Sequence, residues 1–234
     1  MRITCISDTH TKHIQVAKDL PGGDLLIHAG DLSSRGYPYE VERFCQWLDE
    51  LDNYDHKVFI PGNHDFLFEN KREDAMQIVR SHKSINLLLD DHISVGPDED
   101  SLIKIYGSPW QPEFCNWAFN LPRNGIGLTK AWGAIPDDTD IPITHGPPFG
   151  ILDKVIGRDD NLGCEVLTNR ILSLKPKIHV FGHIHSGNGY YFDGTTHFIN
   201  ASSLNERYEY EYKPITIDWD PKTNTVTILK NNND

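Results

Sequence analysis

Five polar clusters, each directly after a short apolar run, hold most of the side chains in this 234-residue chain that could do chemistry together. Asp8-Thr9-His10 follows the run Arg2–Ser7, Gly30-Asp31 follows Leu25–Ala29, and Gly62-Asn63-His64-Asp65 follows Lys57–Pro61. His145-Gly146-Pro147-Pro148 follows Ile141–Thr144, and Gly182-His183-Ile184-His185 follows Ile178–Phe181. Carboxylate and imidazole groups with one amide oxygen, and no thiolate, suit Mn²⁺, Fe or Zn²⁺ better than Ca²⁺ or an iron–sulfur cluster. Asp8, His10, Asp31, Asn63, His145, His183 and His185 are seven donors, too many for one cation and enough for two if one carboxylate bridges. In D-x-H and H-x-H, alternate residues beyond a strand can point the same way, so each pair can reach one cluster.

Taken singly, each cluster has an ordinary structural reading. Acidic residues often cap helices after strands, Asn63-His64-Asp65 could form a turn, and His183 and His185 could be core histidines. Five such clusters in order, each after an apolar run, are hard to obtain from solvated loops. His64 is not needed as a ligand in this count. It is therefore free to bind phosphate or to protonate a leaving group.

The elements that must carry these clusters follow from apolar periodicity. Further strand-length runs are Ile85–Leu89, Leu102–Tyr106, His197–Ile199, Pro214–Trp219 and Thr225–Leu229. Val41, Phe44, Cys45, Leu48 and Leu51 share one helical face, a second helix starts near Glu69, and a third, from Val166 to Leu174, stops before Pro176. Strand–helix alternation in the first half predicts a parallel sheet, and the closely spaced strands from Ile178 onward predict a meander. Two sheets packed face to face, with helices outside, accommodate both. Ligands of open α/β sheets gather at the carboxyl ends of the strands, so the five clusters should converge. The stretch Gly107–Pro136, with Trp110, Phe114, Trp117, Phe119 and Trp132, reads as an ordered loop region near the site or as core packing. Asp98–Asp100 and Asp137–Asp140 read as solvated loop tips, and Asn231–Asp234 as a frayed tail.

A formal net charge of −12 disfavours long DNA or RNA as the main substrate. Bound cations would still draw in a small anion. The length fits one domain over residues 1–234. No apolar stretch is long enough for a membrane span. The strand-like run from Arg2 leaves no room for a signal peptide, and Cys5, Cys45, Cys115 and Cys164 show no paired spacing, so a cytoplasmic setting is expected.

Together the five clusters resemble the ordered signature of the calcineurin-like metallophosphoesterases. Gly107-Ser108-Pro109-Trp110-Gln111-Pro112, Asn116-Trp117-Ala118-Phe119-Asn120, Leu152-Asp153 and Phe198-Ile199-Asn200-Ala201-Ser202 are further similar to the small metallophosphoesterase-domain-containing proteins. Those in turn resemble the cyclic-nucleotide-phosphodiesterase class of that superfamily. The resemblance spans nearly the whole chain. It implies an α/β metallophosphoesterase fold, a four-layer αββα sandwich with two mixed sheets. It also implies that one metal takes Asp8, His10 and His185, that the other takes Asn63, His145 and His183, and that Asp31 bridges. Some members have glycine for the first His of Gly-His-x-His; His183 is kept here, so an intact metal pair is expected. In the phosphoprotein-phosphatase branch, an Asp three residues after the Gly-Asp aspartate supports the His of the Gly-Asn-His motif. Ser34 stands at that position here, which argues against that branch and leaves the partner of His64 open. Arg35 faces either phosphate or solvent.

The expected activity is hydrolysis of small phosphodiesters, with cyclic nucleotides the leading class. Two cations roughly 3.5–4 Å apart would hold a bridging water and lower its pKa towards roughly 7. Mn²⁺ is the first expectation, with Fe, Zn²⁺ or Ni²⁺ as alternatives. Asp31, Asn63 and His64 are the catalytic candidates, Asn63 offsetting charge on the phosphoryl oxygens. A phosphomonoesterase, a nucleotide pyrophosphatase and a weakly active nucleotide-binding scaffold are the alternative functions; His183 weighs against the scaffold.

Overall fold

The computed structural model describes residues 1–96 and 98–229. In chain order the strands are β1 (Arg2–Ile6), β2 (Gly23–Ala29), β3 (Tyr54–Ile60), β4 (Ile85–Leu87), β5 (Asp91–Val95), β6 (Ile103–Ser108) and β7 (Gln111–Pro112). They continue as β8 (Asn120–Leu121), β9 (Ile141–Thr144), β10 (Ile178–Phe181), β11 (Gly189–Phe192), β12 (His197–Asn200), β13 (Ile215–Asp220) and β14 (Thr225–Leu229). The α-helices are α1 (His13–Val16), α2 (Pro38–Glu50), α3 (Phe66–Asn70), α4 (Arg72–Ser81), α5 (Ile126–Gly133) and α6 (Glu165–Leu174).

Two six-stranded sheets result, in the orders β14-β13-β1-β2-β3-β4 and β11-β12-β10-β9-β6-β5. Strands β1 to β4 run parallel, as do β6, β9, β10 and β12. Antiparallel strands close the edges: β13 beside β1, β5 beside β6 and β11 beside β12. The central strands are apolar on both faces because both faces are covered. Ile3, Leu25 and Ile27 meet Ile105, Ile143 and Val180 between the sheets. Leu26 and Phe59 face outward under Phe44, Trp47 and Leu48 of α2. Phe181 and Phe198 face outward under α5 and α6, against Leu128, Trp132, Leu167 and Ile171. The result is the four-layer αββα sandwich with two mixed sheets that the sequence leads one to expect.

The helices start and stop where local chemistry dictates. Pro38 opens α2, and Glu40 Oε2 reaches back to accept the Tyr37 N–H at 3.1 Å. The expected helix near Glu69 is two: α3 ends at Asn70, and Lys71, at φ −141° and ψ 57°, breaks the ladder before α4. Lys175 closes α6 in the left-handed region at φ 54°.

Three expectations are corrected. The strands from Ile178 onward are not one meander, because β13 and β14 leave the second sheet and cover the open edge of β1, burying Ile217 and Trp219. The segment Gly107–Pro136 is not simply a loop, since it includes α5 and the short pair β7–β8. Asp137 and Asp138 are exposed, but Asp140 is half-buried and its Oδ2 accepts the Lys104 N–H at 2.8 Å. The tail Asn231–Asp234 lies outside the described residues. Among the described residues no helix is long and apolar enough to cross a membrane.

Candidate metal centre

The five clusters meet where the carboxyl ends of β1, β2 and β3 face those of β9 and β10, because backbone hydrogen bonds stitch their loops together. The Asp8 N–H donates to Gly30 O (2.9 Å) and the His10 N–H to Asp31 O (3.0 Å). The Gly182 N–H donates to His145 O (2.9 Å). Asp65, fully buried, accepts the N–H groups of Leu32 (3.2 Å), Ser33 (3.0 Å) and Gly62 (2.7 Å), and so ties the third loop to the second. The two sheets are joined at the site itself. The His183 N–H donates to Asp8 Oδ2 at 3.0 Å, and His145 Nδ1 to Ala29 O at 3.0 Å.

One rule orients four of the histidines. Each commits Nδ1–H to a backbone carbonyl: His10 to Ser33 O (3.1 Å), His64 to Ser34 O (2.8 Å), His145 to Ala29 O (3.0 Å) and His185 to Asn205 O (2.9 Å). That fixes the tautomer and turns Nε2 inward, the usual support for a metal-ligating imidazole. The inward atoms then cluster. Donor atoms of Asp8, His10 and His185 lie within 4.8 Å of one another, as do those of Asp31, His145 and His183, and those of His10, Asp31 and His64. Asn63 Oδ1 is 2.9 Å from His145 Nε2. All seven residues singled out as metal donors are thus brought together, with His64 beside them.

The backbone is strained where the donors are. Asp8, His10, Asp31 and His183 all have positive φ, at 52°, 39°, 56° and 69°. Such conformations are uncommon for residues with a Cβ and concentrate at functional sites. The motif glycines are required by close approach. A Cβ on Gly182 would lie 2.1 Å from Asp8 Oδ2, and one on Gly30 would lie 2.4 Å from His145 Nδ1.

Burial works against charge at Asp31, yet His145, His64 and His10 hold its carboxyl well below the usual range. Burial also opposes charge at Asp8, where His185 and His145 prevail and lower it. At His145 and His185 burial again opposes the charged form, but Asp31 and Asp8 hold these imidazoles up to about 9. Burial pushes His10 down to about 4 and His183 to about 3. His10 Nε2 is buried without a hydrogen-bond partner. A buried imidazole nitrogen facing two carboxylates and further imidazoles, with no thiolate present, fits a divalent cation.

The sequence singles out the segments of Ser202 and Phe114 without giving either residue a role, and it misses Tyr208. Ser202 Oγ lies 2.9 Å from Asp8 Oδ2, and Asn200 Oδ1 accepts the Ser202 N–H at 3.2 Å. The Phe198–Ser202 motif therefore braces a donor. Tyr208 leans edge-on over His10 and His185, with centroids at 4.8 and 5.3 Å, and its carbonyl accepts from the Lys12 ammonium. It sits in a turn with no apolar run to mark it. Phe114 approaches His183 at 6.3 Å, and between Phe114 and Tyr208 opens a cavity of about 530 Å³ onto His183 and His185.

Comparison with known proteins agrees with this geometry. The model of the calcineurin-like phosphoesterase family matches residues 1–187. Human metallophosphoesterase domain-containing protein 1 is 40% identical over 233 residues, covering 93% of this chain and 70% of that protein. A UPF0046 protein of Caenorhabditis elegans is 36% identical over 240 residues, covering 93% of this chain and 60% of its own length. The crystal structure of TT1561 of Thermus thermophilus shares the fold, with a TM-score of 0.64 over 97% of both chains at 14% identity. A chain with this fold, this family match and this assembly of donors belongs to the calcineurin-like phosphoesterases, a family of metal-dependent phosphoester hydrolases.

Proposed function

We propose that the protein hydrolyses small phosphodiesters, with cyclic nucleotides the leading class. The observation that supports this most directly is the cavity of about 530 Å³ opening onto His183 and His185, walled by Pro112, Phe114, Val155, Leu162 and Tyr208. Pockets of about 300–1,000 Å³ with largely apolar walls suit small ligands. A net charge of −12 on the chain suits a polyanion poorly.

Asp8, His10 and His185 would hold one divalent cation and Asn63, His145 and His183 a second, with Asp31 placed to serve both. Mn²⁺ is the leading choice, ahead of Fe, Zn²⁺ and Ni²⁺. When bound, such cations supply Lewis-acid charge neutralisation and a water of lowered pKa. The chain's own groups do the rest. Asn63 offsets charge on the equatorial phosphoryl oxygens. His64 keeps Nδ1–H on Ser34 O, so Nε2 is the atom that hands a proton to the departing alkoxide. Phe114 and Tyr208 line the cavity that would receive the substrate.

The test is a panel of cyclic nucleotides, aryl diesters and aryl monoesters offered to metal-reconstituted protein. The expected ratio of kcat/KM, diester over matching monoester, exceeds one. A ratio clearly below one would move the function to the phosphomonoesterase reading.

A further inference from the structure

His64 Nδ1 has no carboxylate partner, and two features stand in for one. Its Nδ1 lies 2.8 Å from Ser34 O, and its ring stacks on Trp117, with centroids 4.0 Å apart and planes 25° from parallel. His10 meets the same imidazole edge-on at 4.6 Å. Trp117 is itself anchored. The next residue, Ala118, donates its N–H to Asn63 O at 3.1 Å, and Phe119 donates its N–H to Glu69 Oε1 at 2.9 Å. The Arg35 guanidinium lies over the indole, 5.2 Å from its centroid, so Arg35 is engaged by an aromatic face. The indole is thereby fixed to the loop that carries Asn63 and His64.

We propose that Trp117 is a positioning residue for His64. A single carbonyl fixes one ring nitrogen but leaves the imidazole free to rock about that hydrogen bond. A stacked indole removes this freedom and keeps Nε2 turned into the centre, 3.9 Å from Asp31 Oδ2. In the step served, the attacking oxygen bonds to phosphorus as the bond to the leaving oxygen breaks. The Nε2 proton passes to that oxygen, and His64 returns to the neutral Nδ1–H form on Ser34 O. The kinetic consequence rests on the proton-donor role of His64; the positioning itself does not.

The experiment compares wild type, Trp117→Phe and Trp117→Leu as full chains. Trp117 is half-buried on the surface side of the site, so both variants should fold, and circular dichroism checks this. Nitrogen-15 and carbon-13 relaxation of the His64 ring, read in metal-free and zinc-loaded protein, reports the mobility of the ring without reference to activity. The expected result is an ordered ring in wild type and Trp117→Phe, and a mobile ring that keeps its Nδ1–H tautomer in Trp117→Leu. Misplacing a proton donor should slow cyclic-nucleotide hydrolysis at least about tenfold in Trp117→Leu, with nitrophenyl-diester hydrolysis within about twofold and metal content unchanged. A ring as ordered in Trp117→Leu as in wild type overturns the proposal. A mobile ring with both rates unchanged supports the positioning and overturns the acid role instead.

Discussion

His145 Nε2 lies 3.4 Å from Asp31 Oδ2, with side chains 0% and 3% exposed, so the carboxylate charge favours the protonated imidazole. His145 and His185 are both held up to about 9, so at neutral pH each carries a proton where a cation would sit. Ligating imidazoles must be neutral. Metal binding at pH 7 should therefore release about two protons, and affinity should rise with pH up to about 9. Titration calorimetry in buffers of different ionisation enthalpy measures this; a proton count of zero would contradict the assignment of both histidines as ligands.

Asp31→Asn should reduce activity more than loss of any terminal ligand, because its carboxylate faces His10, His64 and His145 together. Metal content after dialysis should fall by more than in His10→Ala or His183→Ala. An Asp31→Asn enzyme that keeps both metals and full turnover would remove the shared-carboxylate assignment.

His64→Ala should separate substrates by their leaving groups. Loss of a needed general acid costs about 10²–10⁴-fold, whereas nitrophenolate departs without a proton. Cyclic-nucleotide turnover should drop by that order while nitrophenyl-diester turnover changes little. If the protein instead loses metal, the group of His10, Asp31 and His64 is itself a ligand set.

Asp65→Asn tests the scaffold. The carboxylate accepts three backbone N–H groups and the Ser33 hydroxyl in a site without solvent. An amide turns one acceptor into a donor facing donors. The expected loss is about 3 kcal/mol of unfolding free energy by urea denaturation. A loss within the noise of a surface substitution would show that these bonds are dispensable.

Two buried histidines outside the donor set make the metal-free fold acid-sensitive. The Gly30 N–H donates to His28 Nδ1 (3.3 Å), so His28 Nε2–H donates to Thr9 Oγ1 (2.9 Å). Thr144 Oγ1 donates to Gly146 O (2.8 Å) and so accepts from His179 Nε2–H (2.9 Å). Both rings are neutral, and burial pushes each down to about 3. An unfolded histidine titrates near 6.5, so the unfolded chain takes up protons first as pH falls. Their stabilising contribution is complete above about 6.5 and shrinks towards 3, by ~1.4 kcal/mol per pH unit for each ring. The urea midpoint should drop between pH 7 and pH 5, and His179→Phe should flatten that slope. An unchanged midpoint in wild type would refute the argument.

The donors were legible because chemistry and position coincide in them. A polar residue directly after a run such as Ile178–Phe181 has one place to be, the end of a buried strand. Edge elements were not legible because they lack a buried face. Asp91–Val95 and Gly189–Phe192 are largely exposed, the latter despite three aromatic residues, so their pairing comes from neighbours rather than from their own pattern. Trp117 was visible as one aromatic among several, but nothing in its spacing separates it, stacked on His64, from Trp132, buried under the second sheet. Asn205 acts through its carbonyl oxygen, which any residue type could supply. Side-chain chemistry cannot announce such a role.

All seven candidate donors precede residue 187, yet the groups that aim two of them come later: Ser202 for Asp8, and Asn205 for His185. Both sit on the segment that leaves β12 and returns as β13 along the edge of β1. During synthesis, a chain that has exposed every donor therefore still lacks the parts that hold the centre in shape. Productive loading with metal should therefore wait until the segment after β12 has been made and has docked against Asp8 and His185.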